Sequence, residues 1–187
     1  MGSDAVATGA DDKRMREFTR AVLADMQALE TLIERGLFET GIRRIGAEQE
    51  MFLIDATRQP APLATQLLEA LQDDERLTTE LARFNLEANL TPQLFGGNCL
   101  RCMEDEASTV LAKVAELAKG YDAGVALTGI LPTLRQAHLG LDNMTPNPRY
   151  HELNRATSAL AGGAFNIVIK GLDELDITHD NVMLEAA

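Results

Sequence analysis

The sequence predicts an α+β fold with a largely antiparallel sheet, and three observations predict it. Apolar residues recur at spacings of three and four over residues 13–35 and 99–120, as on amphipathic helices. Apolar and polar residues alternate with period two around 42–55 and 80–91, as on half-buried strands. Helices and strands intermix in an order that allows hairpin pairing.

Taken in order, Met15, Phe18, Val22, Met26, Leu29 and Ile33 make the stripe of the first helix, which Gly36 ends. Residues 42–55 read as one long strand, "ATRQPAP" as a loop and 63–72 as a second helix. "ELARFNLEANLT" at 80–91 reads as a strand stopped by Pro92. Asn98 is the expected N-cap of the helix over 99–120, with Glu104 to Glu106 near its positive end. That helix carries Met103, Ala107, Val110, Val114 and Leu117 on one face. "AGVALTGI" reads as a buried strand, and 131–148 as a Pro-rich loop longer than ordinary connections. A helix over 149–161 and a strand in "GGAFNIVIKG" follow.

Composition narrows the function classes. The 187 residues carry 17 basic and 29 acidic side chains, a net charge of −12, which disfavours a nucleic-acid surface built from clustered Lys and Arg. With no Trp and 4% aromatics, a base-stacking platform is also disfavoured. No run approaches the ~18 apolar residues of a membrane span, and "MGSDAVATGADDKRMR" lacks the apolar segment of a secretory signal. The two Cys form one Cys99-x-x-Cys102 pair, half a zinc site, and His138, His151 and His179 do not supply the other half at a recognisable spacing. A reducing cytoplasm fits best. Residues 1–12 read as a small, acidic, disordered tail, and 13–187 as part or all of one domain. "HDNVMLEAA" stops inside an apolar stretch without a C-cap, so the chain reads as the N-terminal part of a longer protein, the alternative being a chain that ends in a short frayed helix.

The strand "IGAEQEMFLID" raises the chemical question. Residues i and i+2 share a strand face, so Glu48 and Glu50 project together while Ala47, Gln49, Met51 and Leu53 take the other side. In the second strand Asn85, Glu87 and Asn89 share a face opposite Phe84, Leu86, Ala88 and Leu90. Paired in one sheet, the strands would let Glu48, Glu50 and Glu87 converge. Facing like charges destabilise a sheet unless solvent, protonation, a basic partner or a cation offsets them. The pattern alone fits two readings: a solvated polar face, the commoner case, or a magnesium site of hard oxygen donors. The Pro-rich loop adds Arg135, His138, Asp142, Asn143, Arg149 and Tyr150; an arginine there either clamps a carboxylate or phosphate or pairs locally.

"IGAEQEMFLID", "ELARFNLEANLTP", "LTGILPTL" and "NPRY" resemble, in that order, the glutamate–cysteine ligase type 2 (carboxylate–amine ligase) family, over roughly residues 40–187. The resemblance implies a glutamine synthetase-like fold, an antiparallel sheet curved into a funnel and flanked by helices. It implies ATP-dependent joining of a glutamate-like acid to an amine such as cysteine, as in glutathione biosynthesis, with magnesium as cofactor and ATP as co-substrate. The family's metal ligands fall on Glu48, Glu50 and Glu87, and its Arg-Tyr pair falls on Arg149 and Tyr150, which join Asn89 as substrate-binding candidates. Where related sequences read Gly-Thr-His-Pro, this chain reads Gly129-Ile130-Leu131-Pro132, and a later His-bearing strand and nucleotide-binding residues have no counterpart. An incomplete ligase domain with little turnover alone is therefore one expectation. The alternative is a non-catalytic module that binds metal or amino acid, or that forms a homo-oligomer through uncovered sheet edges.

Overall fold

A computed structural model describes residues 12–171 and 174–186. The tail expected at the N-terminus therefore lies outside the described residues, except for Asp12, which begins the first helix. The fold is α+β with antiparallel pairing throughout. The central sheet has four strands in the order β3-β4-β2-β6: β2 is Glu48–Asp55, β3 Leu77–Thr79, β4 Asn85–Asn89 and β6 Ala123–Ala126. β1 (Arg44–Ile45) pairs with β5 (Gln93–Leu94), and β7 (Phe165–Lys170) with β8 (Glu174–His179), as separate two-stranded ribbons. The helices are α1 (Asp12–Glu34), α2 (Ala64–Ala70), α3 (Cys99–Lys119) and α4 (Pro148–Leu160). Among the described residues, no helix is long and apolar enough to cross a membrane.

The two faces of the sheet bury different cores. Met51 and Leu53 of β2, with Leu86 and Ala88 of β4, pack under α2 and α3 with Leu67, Val110 and Val114. Phe52 points the other way, into a cluster with Phe84, Leu131, Leu139, Met144, Val182 and Met183. The Phe52 and Phe84 rings stack with centroids 6.3 Å apart. This second cluster covers only the Phe52 end of its face and leaves the end bearing Glu48 and Glu50 open.

Several expected elements differ, each for a local reason. The strand over 42–55 is two pieces, because the chain across from Gly46 and Ala47 runs through Pro92, which has no N–H to give a ladder. Only Leu90 N–H reaches across there, to Ala47 O at 2.9 Å. The strand over 80–91 is also broken. Around Ala82 the backbone bonds elsewhere: Arg83 N–H donates to Asn143 O (2.8 Å), Ala64 N–H to Arg83 O (2.9 Å) and Asn85 N–H back to Ala82 O (3.0 Å). Phe84 consequently joins the second core and not the face of Leu86 and Ala88. Asn98 precedes α3, but its side chain makes no capping bond. β6 stops at Ala126, four residues short of the expected strand end. Gly36 does end α1: at φ +61° its N–H bonds to Ile33 O and Leu37 N–H bonds to Leu32 O, the paired closure that a left-handed residue permits. The stripe of α1, however, is exposed along its whole length. The closing apolar stretch is a short 3-10 turn, Val182–Ala186, that buries Val182, Met183 and Ala186.

Candidate metal and substrate site

Glu50 and Glu87 are direct cross-strand partners in the β2–β4 register, and Glu48 is paired with Asn89. Thr78 of β3 sits across from Glu87 on its other side, so Glu50, Glu87 and Thr78 form one row across three strands. Two residues after Thr78, Glu80 leaves the strand on that face. The carboxylates of Glu50, Glu80 and Glu87 then come together, with one oxygen from each within 4.8 Å of the others. Glu48 lies two pairs further along the ladder, outside this trio.

The three carboxylates differ in surroundings. Glu50 is exposed, whereas Glu80 and Glu87 are half-buried. Asn89 Nδ2 donates to Glu87 Oε1 at 2.6 Å, holding that carboxylate in place. Glu80 accepts one backbone bond, from Leu81 N–H at 3.2 Å. Burial raises its pKa most, and the hydrogen bond to Glu87 and the negative charges of Glu87 and Glu50 raise it further, to about 7. Thr145 Oγ1 donates to Glu80 O at 2.6 Å and ties this segment to the long loop.

Two recesses flank the trio. A cleft of about 550 Å³ is lined by Thr78, Glu80, Glu87, Arg149, Tyr150 and Thr157, among others. A recess of about 60 Å³ lies among Glu50, Glu80, Asn85, Gly129 and Glu185. Asn85 is 5% exposed, and its Oδ1 has no hydrogen-bond partner among the described residues. A buried carbonyl oxygen without a donor, in a recess that Glu50 and Glu80 also line, adds to the hard oxygen atoms that could hold a divalent cation. Glu50, Glu80 and Glu87 are the residues placed to hold it.

Of the three candidates for substrate contact, Arg149 and Tyr150 line the same cleft and Asn89 does not. Arg149 and Tyr150 occupy the first turn of α4, which Asn147 caps by accepting from Arg149 N–H at 2.9 Å. Both side chains line the cleft. Tyr150 Oη donates to Thr79 O at 2.9 Å, pinning α4 over the end of β3. Asn89 is exposed and engaged with Glu87. Of the Gly129–Pro132 segment, Gly129 borders the small recess, Leu131 is buried and Ile130 is exposed. The Cys pair takes no part in the site: Cys99 is buried and accepts from Gly96 N–H at 3.4 Å.

Sequence reading missed Glu80. Strict alternation from Glu87 places every even-numbered residue of 80–90 on the apolar face, and the turn at 81–84 is what reverses this for Glu80. The signal was the adjacent apolar pair Leu81-Ala82, both buried, which no single strand with one wet face produces.

The family model described as Glutamate-cysteine ligase family 2 matches residues 44–176, a span that contains the trio, the cleft-lining part of α4 and all four strands of the central sheet. No curated protein and no solved structure matches the chain.

Proposed function

Because the chain belongs to glutamate–cysteine ligase family 2, we propose that it carries the metal-binding wall and part of the amino-acid cleft of an ATP- and magnesium-dependent carboxylate–amine ligase. The observation that carries this reading is the meeting of Glu50, Glu80 and Glu87 beside a cleft with Arg149 on its wall. In that chemistry a phosphoryl group passes from ATP to the carboxylate of a glutamate-like acid, releasing ADP. The amine of a cysteine-like substrate then attacks the acyl carbon, phosphate leaves and an amide forms.

The chain's own residues have distinct parts in this reading. Glu50, Glu80 and Glu87 hold magnesium, which when bound neutralises phosphate charge. Glu48 stands beside the trio as a further carboxylate. The Arg149 guanidinium offers a fork for the substrate carboxylate, and Asn89 and Tyr150 position groups around it. Residues 13–187 form the N-terminal portion of a glutamine synthetase-like catalytic domain in the cytoplasm, with nucleotide-binding residues supplied from outside this sequence. Turnover by the 187 residues alone is correspondingly small, because positioning supplies most of such catalysis.

A coupled ADP-release assay with glutamate and a panel of amines, with and without magnesium, tests this. Magnesium-dependent ADP release that Glu87→Gln abolishes supports the ligase reading. A second reading, a binding module without turnover, draws on the exposed Val168 and Ile169 of β7, which leave an apolar edge uncovered. It predicts calorimetric binding of magnesium or glutamate with no ADP release; no heat for either ligand removes it.

A further inference from the structure

α1 is a 23-residue helix, about 34 Å long at 1.5 Å per residue, and its apolar face has no cover among the described residues. From Lys13 to Glu34 every side chain is exposed except the half-buried Thr31. Phe18, Met26 and Ile33 are each more than 60% exposed. Helices of this length hold together mainly by burying such a face. α1 precedes the family-matched residues 44–176.

The charges along α1 indicate what covers the stripe. Its basic residues, Lys13, Arg14, Arg16 and Arg20, all precede Ala21; with Asp12 and Glu17 they leave that half net positive. After Ala21 the helix carries Asp25, Glu30 and Glu34 and no basic residue. We propose that α1 pairs antiparallel with α1 of a second copy of this chain, forming a two-fold homodimer. The middle of the stripe falls between Val22 and Met26, so antiparallel pairing brings Met15 to Ile33 of the other copy, Phe18 to Leu29 and Val22 to Met26. Arg16 and Glu34 are 18 residues apart, five turns, and therefore lie along one flank of the stripe. In a two-fold antiparallel pair equal flanks meet, which sets Arg16 of each copy against Glu30 and Glu34 of the other. A parallel pair would set basic half against basic half. Leu37 and Phe38, just beyond the helix, are exposed as well.

Sedimentation velocity on the purified 187-residue chain tests the pairing. A dimer is expected, weakened by salt because its flanks are charged. Val22→Glu with Met26→Glu places charge in the centre of the seam and is expected to give a monomer. Arg16→Glu with Arg20→Glu makes both halves of the helix net acidic, and Glu30→Arg with Glu34→Arg makes it largely basic. Each should weaken its own dimer by roughly tenfold or more, and an equimolar mixture should restore pairing as a heterodimer. These positions are all exposed, and circular dichroism checks that the fold persists. A wild-type monomer across micromolar concentrations, whether or not the helix binds anionic lipid vesicles, overturns the proposal. So does a dimer that survives Val22→Glu with Met26→Glu, or a charge-reversed pair that fails to recombine.

Discussion

Glu50 and Glu87 face each other directly across the β2–β4 ladder, two carboxylates in register with no basic residue between them. Facing like charges cost a sheet roughly 0.2–1 kcal/mol. Glu87→Gln should therefore raise the stability of the metal-free protein by about 0.5 kcal/mol and remove the stabilisation that magnesium gives the wild type. Thermal melts with and without magnesium chloride measure both. Equal magnesium stabilisation of wild type and variant would show that the trio does not bind the cation.

Glu80 predicts a pH dependence. Its folded pKa, about 7, lies above the ~4.3 of an unfolded glutamate. Between those values the folded state binds more protons than the unfolded one, so stability falls as pH rises through that window. In full, the difference between those values is worth ~3.7 kcal/mol; solvent screening of this half-buried group lowers it to on the order of 2 kcal/mol, fully present below pH ~4. Glu80→Gln should flatten urea-denaturation stabilities between about pH 4.5 and 7.5. Magnesium binding near pH 6.5 should release a proton from Glu80, which calorimetry in buffers of different ionisation enthalpy would register.

Asp74 behaves with the opposite sign. The Arg76 guanidinium beside it is the largest influence and, with Lys113, holds its carboxyl well below the usual carboxylate range despite burial. Its folded pKa is depressed, so its stabilising contribution is complete above ~3.9 and is lost as pH falls below that value. Asp74→Asn leaves Arg76 with Glu106 alone, at 3.3 Å, and should cost about 2–3 kcal/mol at neutral pH. An unchanged denaturation midpoint at pH 7 would rule this out.

Tyr150→Phe separates positioning from substrate contact. Losing the bond to Thr79 O should cost about 1 kcal/mol of stability. Glutamate affinity should fall only a few-fold if the hydroxyl serves that backbone bond alone. A loss beyond a hundredfold at unchanged stability would mean that the hydroxyl turns toward the substrate.

Much of the sheet was legible because strand periodicity constrains faces tightly. Glu50 and Glu87 fell on one face by alternation, and the structure pairs them. What alternation could not supply was information carried by backbone bonding. The turn at Ala82 is fixed by partners at Ala64 and Asn143, far away in sequence, and it alone swings Glu80 onto the carboxylate face. The 3-10 turn at Val182–Ala186 went unread for a similar reason. Its burial depends on Phe52 and Phe84, more than ninety residues earlier, and leaves no local period. The exposed stripe of α1 shows the converse: the pattern of a buried helix without a buried helix in the same chain.

The cluster that brings Val182 and Met183 against Phe52 and Phe84 has a consequence for the order of assembly. Contacts spanning such sequence distances close slowly, because loop entropy is lost before any packing is gained. The core under α2 and α3 needs no residue beyond Val125 and can consolidate first. The face bearing the carboxylates takes its final shape only when the last turn docks. During synthesis from the N-terminus, the hydrophobic half would mature while the acidic half still waits, and a refolding experiment should find metal affinity recovered after helical signal.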